Sequence, residues 1–209
     1  MFIMKKWFLF SVFFFVLFSV SAQQYQEEYL DEYTGRKRIF FGLGIKGNAY
    51  INDNAISDFG VWTRPSVGLN FFAGSWFSRV IGGRIVLEGG KLHPYFQQRT
   101  IRVDEKYFLG RLDFLFDVTN LYGADRVYNL IPYAGVSGAR AFGAVNRPDG
   151  AKSSNSFFFG VGLLNTFRLS RNTSFFINLG FDFVDANFDG SKSKNELNGI
   201  ASGGVGVIF

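Results

Sequence analysis

The sequence predicts an all-β fold, an eight-stranded antiparallel up-and-down transmembrane β-barrel over residues 39–209. Three observations predict it. Apolar residues recur at every second position in eight segments, which is the period of a β-strand. The connections between these segments alternate between short and long, as in barrels that cross an outer membrane. The apolar face is also too bulky for the narrow interior that eight strands enclose.

The first 22 residues of the 209-residue chain form an expected secretory signal peptide. Lys5 and Lys6 give it a positive start, an apolar run follows from Trp7 to Val20, and Ser21 and Ala22 supply the small residues of a cleavage site. The run is shorter than the ~20 residues that a membrane-spanning helix needs. We therefore expect cleavage after Ala22, with a retained anchor helix as the alternative.

Residues 23–38 are predicted to be a periplasmic N-terminal leader. They show no two-residue alternation, and acidic residues precede a basic cluster of Arg36, Lys37 and Arg38. The simplest interpretation is a solvated segment. The alternative is a contact arm for a periplasmic partner, or for anionic lipid through the basic cluster.

The first four strands each carry apolar side chains on one face and mostly glycine, polar or charged residues on the other. In chain order, the apolar faces run from Ile39 to Ile45, from Val67 to Ala73, from Ile81 to Leu87 and from Phe108 to Val118. Each run has the length and alternation of a strand with one apolar face.

The last four strands follow the same pattern, with one exception. The fifth, near residues 129–139, does not alternate cleanly because apolar residues occupy consecutive positions from Leu130 to Tyr133. The sequence therefore does not show which side chains of the fifth strand point inward. The sixth, seventh and eighth strands alternate over Phe157–Phe167, Phe175–Phe183 and Ala201–Phe209.

The connections between the predicted strands differ in length. Short turns are expected near residues 76–80 and 170–173, and a medium connection near 120–127. Longer loops rich in Asn, Asp, Gly, Ser and Lys are expected near residues 51–63, 92–104, 140–156 and 187–196. The short turns belong to one end of a barrel and the long loops to the other.

The apolar face could point inward, as in a soluble ligand-binding barrel, or outward into lipid. The chain has 28 phenylalanines and 25 glycines, and more than a dozen large apolar side chains would crowd the interior. The opposite face lacks the Lys and Glu cover of a soluble protein. We therefore expect the apolar face to contact lipid, which requires the first and last strands to pair. An even strand number then places both chain ends on the short-turn side, taken as periplasmic.

Aromatic residues near strand ends are typical of the girdles that mark a membrane interface. The candidates for this position are Tyr50, Trp62, Trp76, Tyr107 and Tyr128.

With these features in place, the chain resembles the OmpA/OmpX-like class of small Gram-negative outer-membrane β-barrel proteins. The resemblance is carried by the signal peptide, the alternating strands, the glycine-alternating segments at residues 131–137 and 157–162, and the final segment 203–209. It implies a location in the bacterial outer membrane, with lipid and lipopolysaccharide around the barrel. It also implies that Val205, Val207 and Phe209 form the signal that the barrel-assembly machinery recognises.

Charged residues of both signs occur at positions predicted to point inward. They are Lys46, Arg84, Glu88, Arg111, Asp113, Asp117, Arg168 and Asp182. If the register places Arg84 opposite Asp117, then Glu88 falls opposite Asp113 with Arg111 diagonal to it. Because buried charges must be paired, we expect an ion-pair network that fills and closes the lumen. A narrow ion-conducting, porin-like pore is the alternative.

A catalytic site is not expected. A lipid A-modifying enzyme would use His, Ser and an acid, but the one histidine, His93, lies in a predicted loop without a Ser two residues on. Paired acids, Asp104 with Glu105 and Asp185 with Asp189, lie near the predicted outer rim, where adjacent loop acids are common. The absence of cysteine excludes a thiolate metal site and a cysteine nucleophile. We expect no metal and no cofactor.

The expected role is therefore structural or interaction-based, through the extracellular loops or the periplasmic leader. An accessory subunit of an outer-membrane secretion or assembly complex is the alternative, with a protein partner in the envelope. Loop cations at Arg99, Arg102, Lys192 and Lys194 could contact lipopolysaccharide phosphates. The net charge of +5 is not interpreted as nucleic-acid binding, since there is no basic stripe.

Overall fold

The computed structural model describes residues 39–51, 66–92, 95–96, 101–102, 104–121, 127–145, 153–170, 173–184 and 198–209. The predicted signal peptide (1–22) and leader (23–38) lie outside the described residues. In the described part of the chain, no helix is long and apolar enough to cross a membrane.

Eight strands form one closed antiparallel barrel, as the alternation predicted. The barrel strands are β1 (Ile39–Ile51), β2 (Ser66–Trp76), β3 (Ile81–Leu92), β6 (Asp104–Phe116), β7 (Tyr128–Val145), β8 (Ser153–Arg168), β9 (Ser174–Val184) and β10 (Asn198–Ile208). Each pairs with its neighbours in chain order, so the topology is up-and-down. A separate small hairpin, β4 (Tyr95–Phe96) with β5 (Ile101–Arg102), lies between β3 and β6.

Pairing of β1 with β10 closes the barrel. Leu43 lies opposite Val207 and Lys46 opposite Gly204. The last residue takes part, because the Phe209 amide donates to the Phe41 carbonyl at 2.8 Å and the Phe41 amide donates back at 3.2 Å. Closure removes the unpaired strand edges that lipid could not satisfy.

The two ends of the barrel differ, and we call them the turn end and the loop end. The turn end holds the connections 77–80, 117–127 and 169–173, and the loop end holds 52–65, 93–103, 146–152 and 185–197. The connection after β7 is shorter than the predicted 140–156, because β7 continues to Val145 and β8 begins at Ser153.

Local hydrogen bonds fix the turn end. Ser78 Oγ accepts hydrogen bonds from the backbone amides of Val80 and Ile81 at 3.3 and 3.0 Å. Asp117 closes the next turn, which holds a short 3-10 helix at Thr119–Leu121. Its carboxylate accepts a bond from the Thr119 hydroxyl at 2.5 Å and one from the Asn120 amide at 3.0 Å. These side chains supply partners that the backbone lacks in a tight turn.

The outer face of the barrel is a continuous apolar surface. Large exposed side chains occur on every barrel strand, among them Phe41, Leu69, Leu112, Phe157 and Leu179. Soluble monomers rarely expose contiguous apolar patches beyond a few hundred Å². The apolar face therefore points outward, as predicted from the size of the interior.

The facing of the fifth barrel strand, β7, is now settled. Ile131 and Tyr133 are buried in the lumen, while Val136 is 60% exposed on the outer face. Two of the predicted girdle residues are also internal: Trp76 and Tyr107 are buried. Their prediction as interfacial residues was wrong because nearness to a strand end says nothing about which face a side chain occupies.

The lumen as the candidate functional site

The centre of the lumen holds six charged side chains, none more than 3% exposed: Lys46, Arg84, Glu88, Arg111, Asp113 and Asp182. They come from β1, β3, β6 and β9, where the inward positions of these strands meet at mid-height. Three are cationic and three anionic, so their formal charges cancel. We call this set the charged layer.

Ion pairs connect the six side chains of the charged layer into one continuous network. Lys46 Nζ lies 2.7 Å from Glu88 Oε2 and 4.0 Å from Asp182 Oδ2. Arg111 bridges onward, with Nη1 3.0 Å from Asp182 Oδ1 and Nε 2.7 Å from Asp113 Oδ1. Arg84 Nε then pairs with Asp113 Oδ2 at 2.7 Å. Buried charges persist only when each has such a partner.

Neutral side chains complete the coordination of Glu88. The Tyr107 hydroxyl donates a hydrogen bond to Glu88 Oε1. Asn48 Nδ2 lies 2.6 Å from the Tyr107 hydroxyl oxygen and 3.4 Å from the same carboxylate oxygen. Both Glu88 oxygens therefore have partners, which extends the charged layer toward the loop end.

An aromatic and aliphatic layer lies in the lumen on the turn side of the charged layer. Its buried members are Phe40, Phe72, Trp76, Val86, Leu115, Ile131, Tyr133, Leu164 and Phe176. Phe72 packs edge-to-face on Phe176 with ring centroids 5.4 Å apart. Arg84 contacts this layer directly, because its guanidinium carbon lies 5.0 Å from the Phe72 ring centroid and 4.5 Å from that of Tyr133.

A second apolar layer lies on the loop side. It consists of Tyr107, Leu109, Ala139, Ala141, Phe158, Val184 and Ile200. The charged layer is thus enclosed between two apolar layers. Ion pairs in such surroundings are screened less than pairs in contact with solvent.

Inward glycines make room for these large side chains. A Cβ at Gly42 would overlap the Phe72 ring, and one at Gly206 would approach the Phe176 ring to 2.7 Å. The same holds in the charged layer, where Cβ atoms at Gly135 and Gly160 would overlap the carboxylates of Asp113 and Asp182. The sequence interpretation expected small inward residues, but the large aromatic side chains beside them were missed.

The predicted register between β3 and β6 was wrong by four residues. Arg84 lies opposite Asp113, not Asp117, and Glu88 lies opposite Leu109, not Asp113. A long connection joins these two strands, so no tight turn in the local sequence fixes their register. A shift by an even number keeps every side chain on its face, which is why the inward positions were nevertheless assigned correctly.

The remaining predicted residues lie apart from the charged layer. Asp117 is buried at the turn end, where it bonds Thr119 and Asn120. Arg168 is half-buried in the last position of β8, also at the turn end. In the predicted assembly signal, Val205 and Phe209 are 47% and 53% exposed on the outer face, and Val207 is half-buried. Their recognition by the assembly machinery stays a prediction.

Among the acids and the histidine considered for catalysis, the described part of the chain includes the side chain of Glu105 alone. Glu105 is buried in β6, whereas His93, Asp185 and Asp189 lie outside the described residues. Within the described ranges, no group of three or more His, Asp and Glu side chains is placed to hold a metal ion.

Solved structures similar to this chain share its architecture. Neisserial surface protein A superposes with a TM-score of 0.57 at 11% identity, over 82% of this chain and 96% of that one. OprG from Pseudomonas aeruginosa gives 0.54 at 10% identity, over 81% and 93%. A major outer membrane protein from Thermus thermophilus gives 0.53 at 14%, over 83% and 99%. The chain therefore has the closed eight-stranded β-barrel fold of these outer-membrane proteins.

One curated sequence relative is named as an outer-membrane protein. Outer membrane protein 40 from Porphyromonas gingivalis is 29% identical over 167 residues, which is 77% of this chain. The chain spans 40% of the length of that relative. No family model matches the sequence.

Proposed function

We propose that this outer-membrane barrel has a closed lumen and a structural or interaction role, exercised through its loops or its periplasmic leader. One observation carries the proposal. The charged layer is paired throughout and lies between two apolar layers, so in the described residues each level of the lumen is occupied by side chains. A permeant ion would have to displace both apolar layers and break buried ion pairs.

The arrangement favours a stable plug over a conducting path. Ion channels use charged rings that permeating ions can enter and leave. Here each carboxylate of the charged layer already contacts a cation of the same layer. We therefore propose that a partner or ligand binds outside the lumen, at the loops or at the periplasmic leader.

Single-channel recording tests the closed lumen. Protein refolded into planar bilayers should give no stable conductance. A variant that opens both apolar layers and breaks the charged layer (Phe72→Ala, Phe158→Ala and Arg111→Ala together) serves as the positive comparison. A stable, large conductance from the unmodified protein would overturn the proposal.

The proposal also places the loop end outside the cell and both termini in the periplasm. Support comes from the even strand number and from the short connections at the end that holds both Ile39 and Phe209. The chain has no cysteine, so a single introduced cysteine supplies the only thiol that a maleimide can label. In intact cells, a membrane-impermeant maleimide should label Ser193→Cys, between β9 and β10, but not Ser78→Cys at the turn end. The reverse labelling would contradict this orientation.

A further inference from the structure

Three cations stand side by side on the outer wall at the loop end. Lys91 on β3 lies directly opposite Lys106 on β6, and both are exposed. Arg140 on β7 is also exposed. It lies opposite Phe108, two residues along β6 from Lys106, and is therefore the diagonal neighbour of Lys106. Direct cross-strand neighbours have Cβ atoms about 5 Å apart and diagonal ones about 7–8 Å apart. We call these three residues the basic row.

The basic row lacks anionic partners among the residues that the structure describes. None of these three cations takes part in the ion pairs of the charged layer. Two acidic residues precede Lys106 in β6. Glu105 is buried on the opposite face, and Asp104 has the same alternation as Lys106, but its side chain lies outside the described part of the chain. Like charges placed directly opposite each other on two strands are destabilising. A row of this kind is stabilised when a multivalent anion lies over it.

The basic row marks the upper edge of the apolar band. From Ile81 to Lys91, β3 advances ten residues, or about 26 Å along the barrel axis for a rise of about 3.4 Å per residue and a tilt of about 40°. This matches the ~25 Å band of outer-membrane barrels. Below the row, Leu87, Leu112 and Val136 are exposed on the apolar outer face. The cations therefore lie at headgroup level, with acyl chains beneath them.

The wall directly below the basic row carries three glycines in place of large side chains. Gly89, Gly110 and Gly138 face outward there. A Cβ at Gly89 or Gly110 would meet nothing closer than 3.7 Å, and one at Gly138 nothing within 4 Å. Unlike the inward glycines, these are not required by neighbouring side chains. They leave a shallow depression between Phe108 and Phe157, which are 52% and 79% exposed.

We propose that Lys91, Lys106 and Arg140 bind a phosphate group of an outer-leaflet glycolipid whose acyl chains lie over the glycines below. Phosphate offers several acceptor oxygens to Lys and Arg donors in charge-assisted hydrogen bonds. The assignment of the outer leaflet rests on the orientation proposed above. Binding in detergent does not depend on that orientation, so the two proposals fail separately.

Native mass spectrometry of the refolded full chain in detergent tests the site with bisphosphorylated lipid A. Removing three cations by Lys91→Gln, Lys106→Gln and Arg140→Gln should weaken binding by about 10- to 100-fold. Dephosphorylated lipid A should bind the unmodified protein as weakly as lipid A binds the triple variant. Lys106→Gln alone should weaken binding measurably, whereas Arg79→Gln at the turn end, the matched control, should not.

Three results would overturn the proposal. The triple variant could retain the affinity of the unmodified protein while keeping its heat-modifiable mobility, which shows that it folds. Inorganic phosphate could compete for the site at concentrations similar to those of lipid A, which would make it a site for a free anion. The row could instead support a dimer that the triple variant loses.

Gly110→Leu should also weaken lipid A binding, while Gly47→Leu, at an outward glycine on β1, should not.

Discussion

The two faces of the barrel wall use the same residue types for different physical reasons. Inside, phenylalanine packs over glycine on the neighbouring strand, as Phe72 on β2 does over Gly42 on β1. Outside, phenylalanine such as Phe159 is 49% exposed, and a Cβ added at a glycine such as Gly110 would meet no atom closer than 4.0 Å. The inner face is therefore a packed core that is sensitive to volume, and the outer face is a surface fitted to lipid. Matched substitutions on the two faces should separate these roles.

The largest difference is expected for charge. Arg111→Ala removes the residue that joins Asp113 to Asp182, and breaking a buried pair costs about 3–5 kcal/mol. Lys106→Gln on the outer face should change stability by less than about 0.5 kcal/mol, since it leaves no buried charge unpaired. Urea unfolding from lipid vesicles measures both. Equal effects would mean that the charged layer is not buried.

The next difference is expected for tyrosine. Tyr107→Phe removes the hydroxyl that donates to Glu88, and a hydrogen bond to a charged group contributes about 1.5–3 kcal/mol. Tyr128→Phe removes an exposed hydroxyl that donates to Asn165 at 2.7 Å and should cost under about 1 kcal/mol. The same unfolding assay applies. A larger loss for Tyr128 would contradict the burial of Glu88.

The third difference is expected for glycine. Gly42→Ala forces the new methyl group against the Phe72 ring, and overpacking typically costs about 1–3 kcal/mol. Gly110→Ala places its methyl group at an ordinary contact distance, 4.0 Å from Leu87. It should be neutral or slightly stabilising, because alanine loses less conformational freedom than glycine on folding, a gain of about 0.5–1 kcal/mol. Comparing urea midpoints of the two variants checks the sign of each effect. Opposite signs to these would mean that the two faces are exchanged.

Much of this architecture could be predicted from the sequence, because alternation with period two fixes which face each side chain occupies. It placed the eight barrel strands and the inward positions of Arg84 and Asp182 correctly. It could not fix the register of β3 against β6, since a shift of four residues leaves every face unchanged. It also could not show which side chains of β7 point inward, because Ile131 is apolar yet points into the lumen.

The aromatic layers escaped prediction for a related reason. An inward Phe72 or Phe176 breaks the rule that large apolar residues face lipid. A signal for them was nevertheless present, because each lies where glycines occupy the neighbouring inward positions: Gly42 beside Phe72 and Gly206 beside Phe176. Large and small residues alternate across strands in a packed barrel interior. The ion-pair partners required the register and could not be read from spacing.

The central claim is a lipid-facing wall around a sealed lumen, and spin-label accessibility across one strand tests it most directly. Labels at Leu69→Cys and Phe71→Cys on β2 should collide readily with oxygen dissolved in the bilayer, since both residues face outward. A label at Asn70→Cys, which is buried, should be shielded from oxygen and from a water-soluble nickel chelate alike. Strong access of the chelate to position 70 would contradict the account, because it would mean that water fills the lumen.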